Sequence, residues 1–312
     1  MALTSEQIID IKEKTSLDRI NVGHAISTCI GKSEEIGYSL FSLFPRRSFW
    51  VRYTNEDVHS AIEKYTVVQG VLEVQYEGDT FFLHAGETLD ASEYPELLSF
   101  YGEEAVEILV EMTASIFERN FSNTEIVQRD AAAIEHVDGY TFHHCSRIKD
   151  YSIELWKKLG QPVERVRLLR WGAYFHDIGK LAIPLEILNK KGKFTPEEWV
   201  IMKSHTTLGA KMMREHEIEW LRDSAFIVEE HHERYDGKGY PFGLKGDEIS
   251  LEAAIVSVVD SFDAMTTDRV YRDSLTIEEA IQEIIRGRGT QFHPVVVDAF
   301  LKLLHEQQFK WR

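Results

Sequence analysis

The chain has 312 residues, 43% of them hydrophobic, and its 35 Lys and Arg against 52 Asp and Glu give a formal net charge of −17. This composition is typical of a globular protein of about two domains of ~150 residues each, and the acidic balance argues against nucleic-acid polymers or anionic lipid as partners. No apolar run reaches the roughly 18 residues that span a bilayer, and the N-terminal residues lack the features of a signal peptide. Cys29 and Cys145, the only cysteines, are far apart, so we expect a cytoplasmic protein without a disulfide framework or membrane contact.

Charge and hydrophobic pattern both change near residues 118–128. Residues 1–120 hold 9 basic and 21 acidic side chains, whereas residues 121–312 hold 26 and 31, so the second half tolerates an anionic ligand better. The first half mixes β-branched and aromatic runs with turn residues, and the second half has helical spacing. We therefore predict a β-rich domain over 1–120 and an all-α domain over 121–312.

The first half begins with a predicted short helix at residues 4–14. Further on, the segments 65–76, 77–89 and 104–112 contain predicted strands separated by Gly and Asp turn formers. These strands predict an antiparallel β-sandwich or small β-barrel.

The order of strands and glycine turns over residues 48–113 resembles the cupin family, whose hairpins build a jelly-roll barrel. Metal-binding cupins carry a cluster of His and Glu ligands, whereas His59 and His84 stand alone in this sequence. We therefore assign no chemistry to this cupin-like domain and expect a sensory or dimerisation module. It could respond to a small-molecule or protein signal, and the chain could form a homodimer.

Helical spacing dominates the second half. Capping residues, prolines and a Gly-rich segment at 236–247 mark the ends of the helices. We predict a bundle of about six or seven helices, with helices covering 147–160, 163–181, 196–216 and 250–266.

The histidines and aspartates of the bundle predict a metal site, because helix bundles build such sites from inward side chains of facing helices. The candidates lie on separate predicted helices or at their ends: His144, His176, Asp177, His205, His231, His232 and Asp260. Imidazole and carboxylate ligands suit Fe, Mn, Zn or Ni. Asp177 is the best candidate to bridge two ions, which can hold a phosphodiester between them for in-line attack.

The runs HDIGKLAIP (176–184) and HHERYDGKGYP (231–241) resemble the HD-GYP family of the HD superfamily. The resemblance covers roughly residues 135–305 and extends through EEWVIMKSH (197–205) and GTQFHPVVVDAF (289–300). It implies an all-α phosphodiesterase that hydrolyses cyclic di-GMP in bacterial second-messenger signalling.

The resemblance also implies roles for individual residues. The seven candidates named above become the metal ligands. Lys180, expected one turn past His176 on the same helix face, protonates or stabilises the leaving oxygen. Tyr240 becomes a base or phosphate contact in a loop that Gly237 and Gly239 keep compact. Basic residues for the substrate phosphate and guanine fall on Arg269 and Arg272, and Asp263 could orient a ligand histidine.

Two positions depart from the family pattern. Family members with three metals carry a Glu four residues before the first ligand histidine, and Tyr140 occupies that position here. We therefore predict two divalent ions and a reaction that stops at linear pGpG or proceeds slowly to GMP. The ligand mix together with the resemblance favours iron or manganese, with zinc or nickel as alternatives. The second departure, Val270 in place of the usual Pro, concerns loop rigidity.

Two alternatives stay open at this point. The substrate could be cyclic GMP-AMP, because a few contacts decide which purine a pocket selects. The protein could also be a cyclic di-GMP receptor with little turnover. The complete ligand set and Lys180 favour catalysis over the receptor.

Overall fold

A computed structural model provides the structure of the protein. It describes residues 19–21, 25–51, 62–94, 98–118, 126, 129–130, 133–134, 143–267 and 274–306. The chain divides into two compact units, Met1–Gln128 and Arg129–Arg312. The predicted N-terminal helix at 4–14 lies outside the described residues.

The first unit consists of two antiparallel sheets. One has the strand order β1-β2-β3-β10-β5-β8 and the other the order β4-β9-β6-β7. The strands are β1 Arg19–Asn21, β2 Ala25–Lys32, β3 Ile36–Leu43, β4 Arg47–Val51, β5 Glu63–Gln69, β6 Val71–Tyr76, β7 Asp79–His84, β8 Thr88–Asp90, β9 Leu98–Gly102 and β10 Val106–Thr113. This confirms the predicted cupin-like β-architecture.

Alternation of side chains along these strands builds the core of the unit. Tyr65 and Val67 of β5 and Ile108, Val110 and Met112 of β10 lie at every second position and are buried, as the period of two along a strand requires. Phe49 of β4 and Phe100 of β9 are paired across the strands, and their rings stack with centroids 4.6 Å apart. Gly70 connects β5 to β6 with φ +93°, a conformation that glycine adopts without strain.

The second unit is helical. Its described α-helices are His143–Lys158, Val166–Tyr174, Leu185–Leu188, Pro196–Lys203, His205–Arg214, Glu219–Asp223, Ala225–Glu230, Leu251–Thr266, Ile277–Gly287 and Pro294–Glu306. Fully buried side chains such as Trp156, Phe262 and Phe300 fill its core. Among the described helices, none has both the length and the apolar content that crossing a bilayer requires.

The prediction of six or seven helices is wrong, because the described residues form ten α-helices. Three of them are short, Leu185–Leu188, Glu219–Asp223 and Ala225–Glu230, and two of the predicted long helices are broken. The predicted helix over 163–181 ends at Tyr174 and continues only as a 3₁₀ turn over Ile178–Ala182. The predicted helix over 196–216 is divided at Ser204 into Pro196–Lys203 and His205–Arg214. Apolar spacing runs through both breaks, so the periodicity gave no sign of them.

A close approach of two backbones explains the first break. A Cβ atom on Gly179 would lie 1.8 Å from the carbonyl oxygen of His205, and one on Gly209 would lie 2.9 Å from the Gly179 nitrogen. Glycine at both positions lets the 3₁₀ turn pack directly on helix His205–Arg214. This contact brings the segment after His176 against His205.

Candidate metal centre

The structure brings all seven predicted metal-ligand candidates together. They form two groups, and within each group one ligand atom per residue lies within 4.8 Å of the others. The groups are Asp177, His205, His231 and His232, and His144, His176 and Asp260.

Each candidate is placed by the end or the inward face of a helical element. His176 and Asp177 occupy the link between helix Val166–Tyr174 and the 3₁₀ turn, where the broken helix frees both side chains to face the same space. His205 begins its helix, and His231 follows the end of helix Ala225–Glu230. His144 and Asp260 lie within helices His143–Lys158 and Leu251–Thr266.

Three of the histidine rings are oriented by the same hydrogen bond. The Nδ1 atom bonds to the backbone carbonyl three residues earlier, at 2.7–2.8 Å: His176 to Ala173, His205 to Met202, and His231 to Val228. A carbonyl can only accept, so each Nδ1 carries a proton and each Nε2 faces the centre, where it offers a lone pair whenever the ring is neutral. This is the tautomer that a metal-ligating imidazole requires.

Orphaned polar atoms test whether these residues fit a metal ion. Within the described part of the chain, the buried atoms without a hydrogen-bond partner include Nε2 of His176, His205 and His231 and Oδ1 of Asp177. Burying such atoms unpaired is unfavourable, and buried polar groups are paired or coordinate metals. A nitrogen and oxygen donor set of this kind fits a divalent transition-metal ion.

The Asp177 carboxylate lies between the two groups. Its Oδ2 is 3.2 Å from Nε2 of His176, whereas its Oδ1 is 3.5 Å from Nε2 of His205 and 3.9 Å from Nε2 of His231. The two oxygens therefore face different groups. This arrangement allows one carboxylate to ligate an ion in each group.

Lys180 reaches the same carboxylate. Its Nζ donates to Oδ2 of Asp177 at 2.8 Å. The expectation that Lys180 follows His176 on one continuous helix face is wrong, because the two residues belong to different elements. The 3₁₀ turn instead directs the ammonium onto Asp177.

Asp263 contacts His144, a member of the second group. Its Oδ2 lies 2.6 Å from Nδ1 of His144, and Arg147 donates to both of its oxygens at 2.6 and 2.9 Å. The side chain of Asp263 is fully buried. Nε2 of His144 is thereby turned toward Asp260, whose Oδ1 lies 3.7 Å away.

The titration behaviour of the cluster follows from burial and from Asp177. Although burial opposes ionisation of Asp177, the Lys180 ammonium and His176 hold its pKa well below the usual range. Burial, and then the neighbouring His232, lower the pKa of His231, and burial lowers the pKa of His232 to about 4. Burial also lowers the pKa of His176, but Asp177 outweighs it and raises that pKa to about 9. An ionised carboxylate among mostly neutral imidazoles is ready to bind a cation.

Tyr240 borders the first group. Its ring centroid is 4.9 Å from that of His232, and its backbone N–H donates to the His232 carbonyl at 3.3 Å. Burial and the Asp177 carboxylate raise the pKa of the phenol above its ordinary value. The phenol therefore keeps its proton in the metal-free protein and can donate a hydrogen bond, and the role of Tyr240 as a base or phosphate contact stays a prediction.

Glu233 organises the segment after Tyr240, a role that the sequence reasoning missed. Its buried carboxylate accepts backbone N–H groups of Phe242 at 2.6 Å and of Gly243 and Leu244 at 3.0 Å. Gly239 is needed for the same packing, because a Cβ there would lie 2.3 Å from the Arg234 nitrogen. Gly239 thus shapes the loop through its lack of a side chain.

Several residues singled out in the sequence lie outside the described residues. For the helical unit they are Tyr140, Arg269, Val270 and Arg272, and His59 of the β-unit lies outside the described residues as well. The predictions attached to them stay predictions.

Comparisons with known proteins agree with this site. The HD-domain family profile matches residues 127–296. The chain is 38% identical over 200 residues to the cyclic di-GMP phosphodiesterase response regulator RpfG of Xanthomonas campestris pv. campestris, covering 64% of this chain and 53% of that protein. It is 40% identical over 200 residues to a cyclic di-GMP phosphodiesterase of Thermotoga maritima, covering 64% and 54%.

A third relative is named for a different substrate. The chain is 32% identical over 181 residues to 3'3'-cGAMP-specific phosphodiesterase 2 of Vibrio cholerae, covering 58% of this chain and 35% of that protein. The chain spans about half the length of the first two relatives. The family match covers more than half of this chain and includes all seven grouped residues. The chain belongs to the HD-domain family, as the HD-GYP resemblance of its sequence predicts.

Proposed function

We propose that the helical unit is a metal-dependent phosphodiesterase that opens cyclic di-GMP to linear pGpG. The observation that carries this proposal is the position of Asp177, with one carboxylate oxygen toward each of two histidine groups. Two ions joined by one carboxylate suit the in-line displacement at a phosphodiester. The relatives named as cyclic di-GMP phosphodiesterases support the substrate.

The proposed ligands of the two ions are the members of the two groups, with Asp177 shared between them. Iron or manganese suits this imidazole and carboxylate set, and zinc or nickel is the alternative. When bound, the ions supply an activated water and charge stabilisation at the phosphate. Two ions, rather than three, is the number that Tyr140 predicts.

The protein side chains then act on the phosphodiester and its leaving group. A hydroxyl from water forms a bond to phosphorus, the bond from phosphorus to the 3′ oxygen breaks, and that oxygen takes up a proton. Lys180 donates this proton or stabilises the oxygen, and its hydrogen bond to Asp177 supports this role. Tyr240 donates a hydrogen bond to the phosphate, and Arg269 and Arg272 bind phosphate and guanine.

Substrate choice has one competing candidate. The relative named as a 3'3'-cGAMP-specific phosphodiesterase favours cyclic GMP-AMP as the second possible substrate. A receptor that binds cyclic di-GMP with little turnover is the non-catalytic alternative.

The N-terminal β-unit is proposed to regulate the hydrolase. Its described histidine, His84, is exposed and belongs to neither ligand group. A sensory or dimerisation role is therefore the proposal for this unit, and the chain is proposed to act in the cytoplasm, as a homodimer if the unit self-associates. A ligand-dependent melting shift or self-association of the full chain would support this role.

A product time course tests the proposed function. Protein purified without oxygen and loaded with Mn²⁺ is incubated separately with cyclic di-GMP and with cyclic GMP-AMP. Asp177→Asn removes the shared carboxylate charge, and Asp223→Asn, at an exposed helix end, is the matched control. We expect linear dinucleotide from wild type and from the control, and none from Asp177→Asn.

The outcomes separate the candidates. Faster opening of cyclic di-GMP supports the main proposal, and faster opening of cyclic GMP-AMP supports the second substrate. No product from metal-loaded wild type contradicts both and favours the receptor. Rapid accumulation of GMP contradicts the predicted stop at pGpG.

A further inference from the structure

Helix Pro196–Lys203 carries a large aromatic side chain that the fold does not bury. Trp199 is 45% exposed, and no residue of this helix is buried. Leaving an indole in contact with water forgoes hydrophobic stabilisation, and tryptophan is enriched at binding interfaces. A capping box of Thr195 and Glu198 stabilises the N-terminus of this helix.

Ring contacts connect Trp199 to the candidate metal centre. Its ring centroid lies 6.3 Å from that of Tyr240, with the planes at 74°. Tyr240 in turn lies 4.9 Å from the ring of His232. The indole is therefore two ring contacts away from a member of the first ligand group.

A second aromatic side chain holds the indole in place. Phe194 lies against Trp199 with ring centroids 5.8 Å apart and planes at 19°, a stacked arrangement. Lys203, at the end of the same helix, places its Nζ 5.9 Å from the Tyr240 ring centroid. The surface thus combines a flat apolar ring with a nearby cation.

This combination suits a nucleotide better than a phosphodiester without a base. A purine is planar and stacks on aromatic side chains. The phosphate of the same nucleotide would lie at the candidate metal centre. We propose that Trp199, supported by Phe194, stacks on a purine base of the substrate whose phosphate lies at the two ligand groups. The inference rests on the proposed function and adds a base-binding subsite to it.

Two small competitors isolate the contribution of the base. GMP and ribose 5-phosphate carry the same phosphorylated ribose, but only GMP has a purine. Dissociation constants of both are measured by calorimetry on the metal-loaded full chain. Wild type should bind GMP about tenfold more tightly than ribose 5-phosphate, since stacking on one aromatic ring is worth about this much.

Variants of the helix then assign this preference. Trp199→Leu keeps an apolar side chain but removes the aromatic face, and it should reduce the preference for GMP to about twofold or less. Trp199→Phe should retain most of the preference. Val200→Ala, which changes the neighbouring 63% exposed side chain, is the matched control and should behave as wild type.

Nucleotide binding and hydrolysis are measured separately, so the base-binding subsite and the reaction are tested independently. Equal binding of GMP and ribose 5-phosphate by wild type overturns the subsite, whatever the hydrolysis assay shows. An unchanged preference in Trp199→Leu overturns it as well, and equal weakening of both ligands indicates that Trp199 contacts protein instead. Loss of hydrolysis in wild type with an intact, Trp199-dependent preference would refute the reaction and leave the subsite standing.

Discussion

The Lys180 ammonium donates a hydrogen bond at 2.8 Å to Oδ2 of Asp177. The same oxygen lies 3.2 Å from Nε2 of His176. Lys180 is a cation that can transfer a proton, and it contacts the carboxylate that lies between the two ligand groups. A group held in this way can serve the reaction without being a metal ligand.

Replacing Lys180 should therefore separate catalysis from metal binding. We expect Lys180→Met to lower kcat by about 10²- to 10⁴-fold, the usual contribution of a positioned acid or base, with the metal content unchanged. Steady-state kinetics and metal analysis of the same sample provide the test. Lys211→Met, at a side chain that is 69% exposed, is the control. Loss of bound metal together with activity would mean that Lys180 acts structurally.

Asp263 should matter for both stability and metal affinity. Asp263→Asn removes a buried charge that pairs with Arg147 and orients His144. Breaking such a pair is expected to destabilise the helical unit by about 3–5 kcal/mol, and loss of the orienting contact should weaken metal binding by about 10- to 100-fold. Urea unfolding and metal titration measure the two effects.

The control for this prediction is an exposed ion pair. Asp298 pairs with Arg288 at 2.7 Å, and both side chains are exposed. Asp298→Asn should change the unfolding free energy by no more than about 1 kcal/mol. If the two substitutions lowered the free energy of unfolding equally, the buried contacts of Asp263 would stabilise the protein no more than an exposed ion pair.

Glu233 should act on substrate binding through the loop that follows Tyr240. In Glu233→Gln, the new amide group meets the backbone N–H of Leu244 and cannot accept its hydrogen bond. An unsatisfied donor of this kind costs about 1–3 kcal/mol. We expect KM to rise by about 5- to 30-fold, with a smaller change in kcat, because Tyr240 borders the site.

Kinetics of Glu248→Gln provide the comparison for Glu233. Glu248 also accepts a loop amide, that of Lys245 at 2.9 Å, but its carboxylate is exposed to water. This variant should keep a KM close to that of wild type. A similar rise in both variants would contradict a specific role for Glu233.

Metal removal should lower the stability of the helical unit. A bound cation would pair the orphaned buried atoms of His176, His205 and Asp177. Metal at a thousandfold excess over its Kd should stabilise the fold by about 4 kcal/mol. Thermal unfolding with Mn²⁺ and with a chelator measures the difference, and Asp177→Asn should show a smaller one. Identical Tm values for wild type in both conditions would refute metal binding.

Sequence reasoning predicted the membership of the ligand groups because the chemistry of the side chains is explicit in the sequence. Adjacent pairs such as His176 with Asp177 are unfavourable to bury without a cation, whatever the surrounding fold. The partner of His144 could be anticipated as well, since Asp263 lies one turn after Asp260 on the same helix face.

Other features depend on contacts distant in the sequence. In the sequence, Glu233 is one of several charged residues in a polar segment. Its hydrogen bonds with the backbone N–H groups of Phe242 and Leu244 form only in the folded chain. The break before the 3₁₀ turn follows from the contact between Gly179 and Gly209. The hairpin of β2 and β3 was missed although its β-branched and aromatic residues are typical of strands.

The proposed hydrolysis requires two metal ions, with Asp177 as a ligand of both. Metal-free protein is titrated with Mn²⁺, and the rate of linear dinucleotide formation from cyclic di-GMP is measured at each ratio of metal to chain. We predict little activity up to one equivalent and a steep rise toward two. Full activity at one equivalent, or no activity beyond two, would contradict the account.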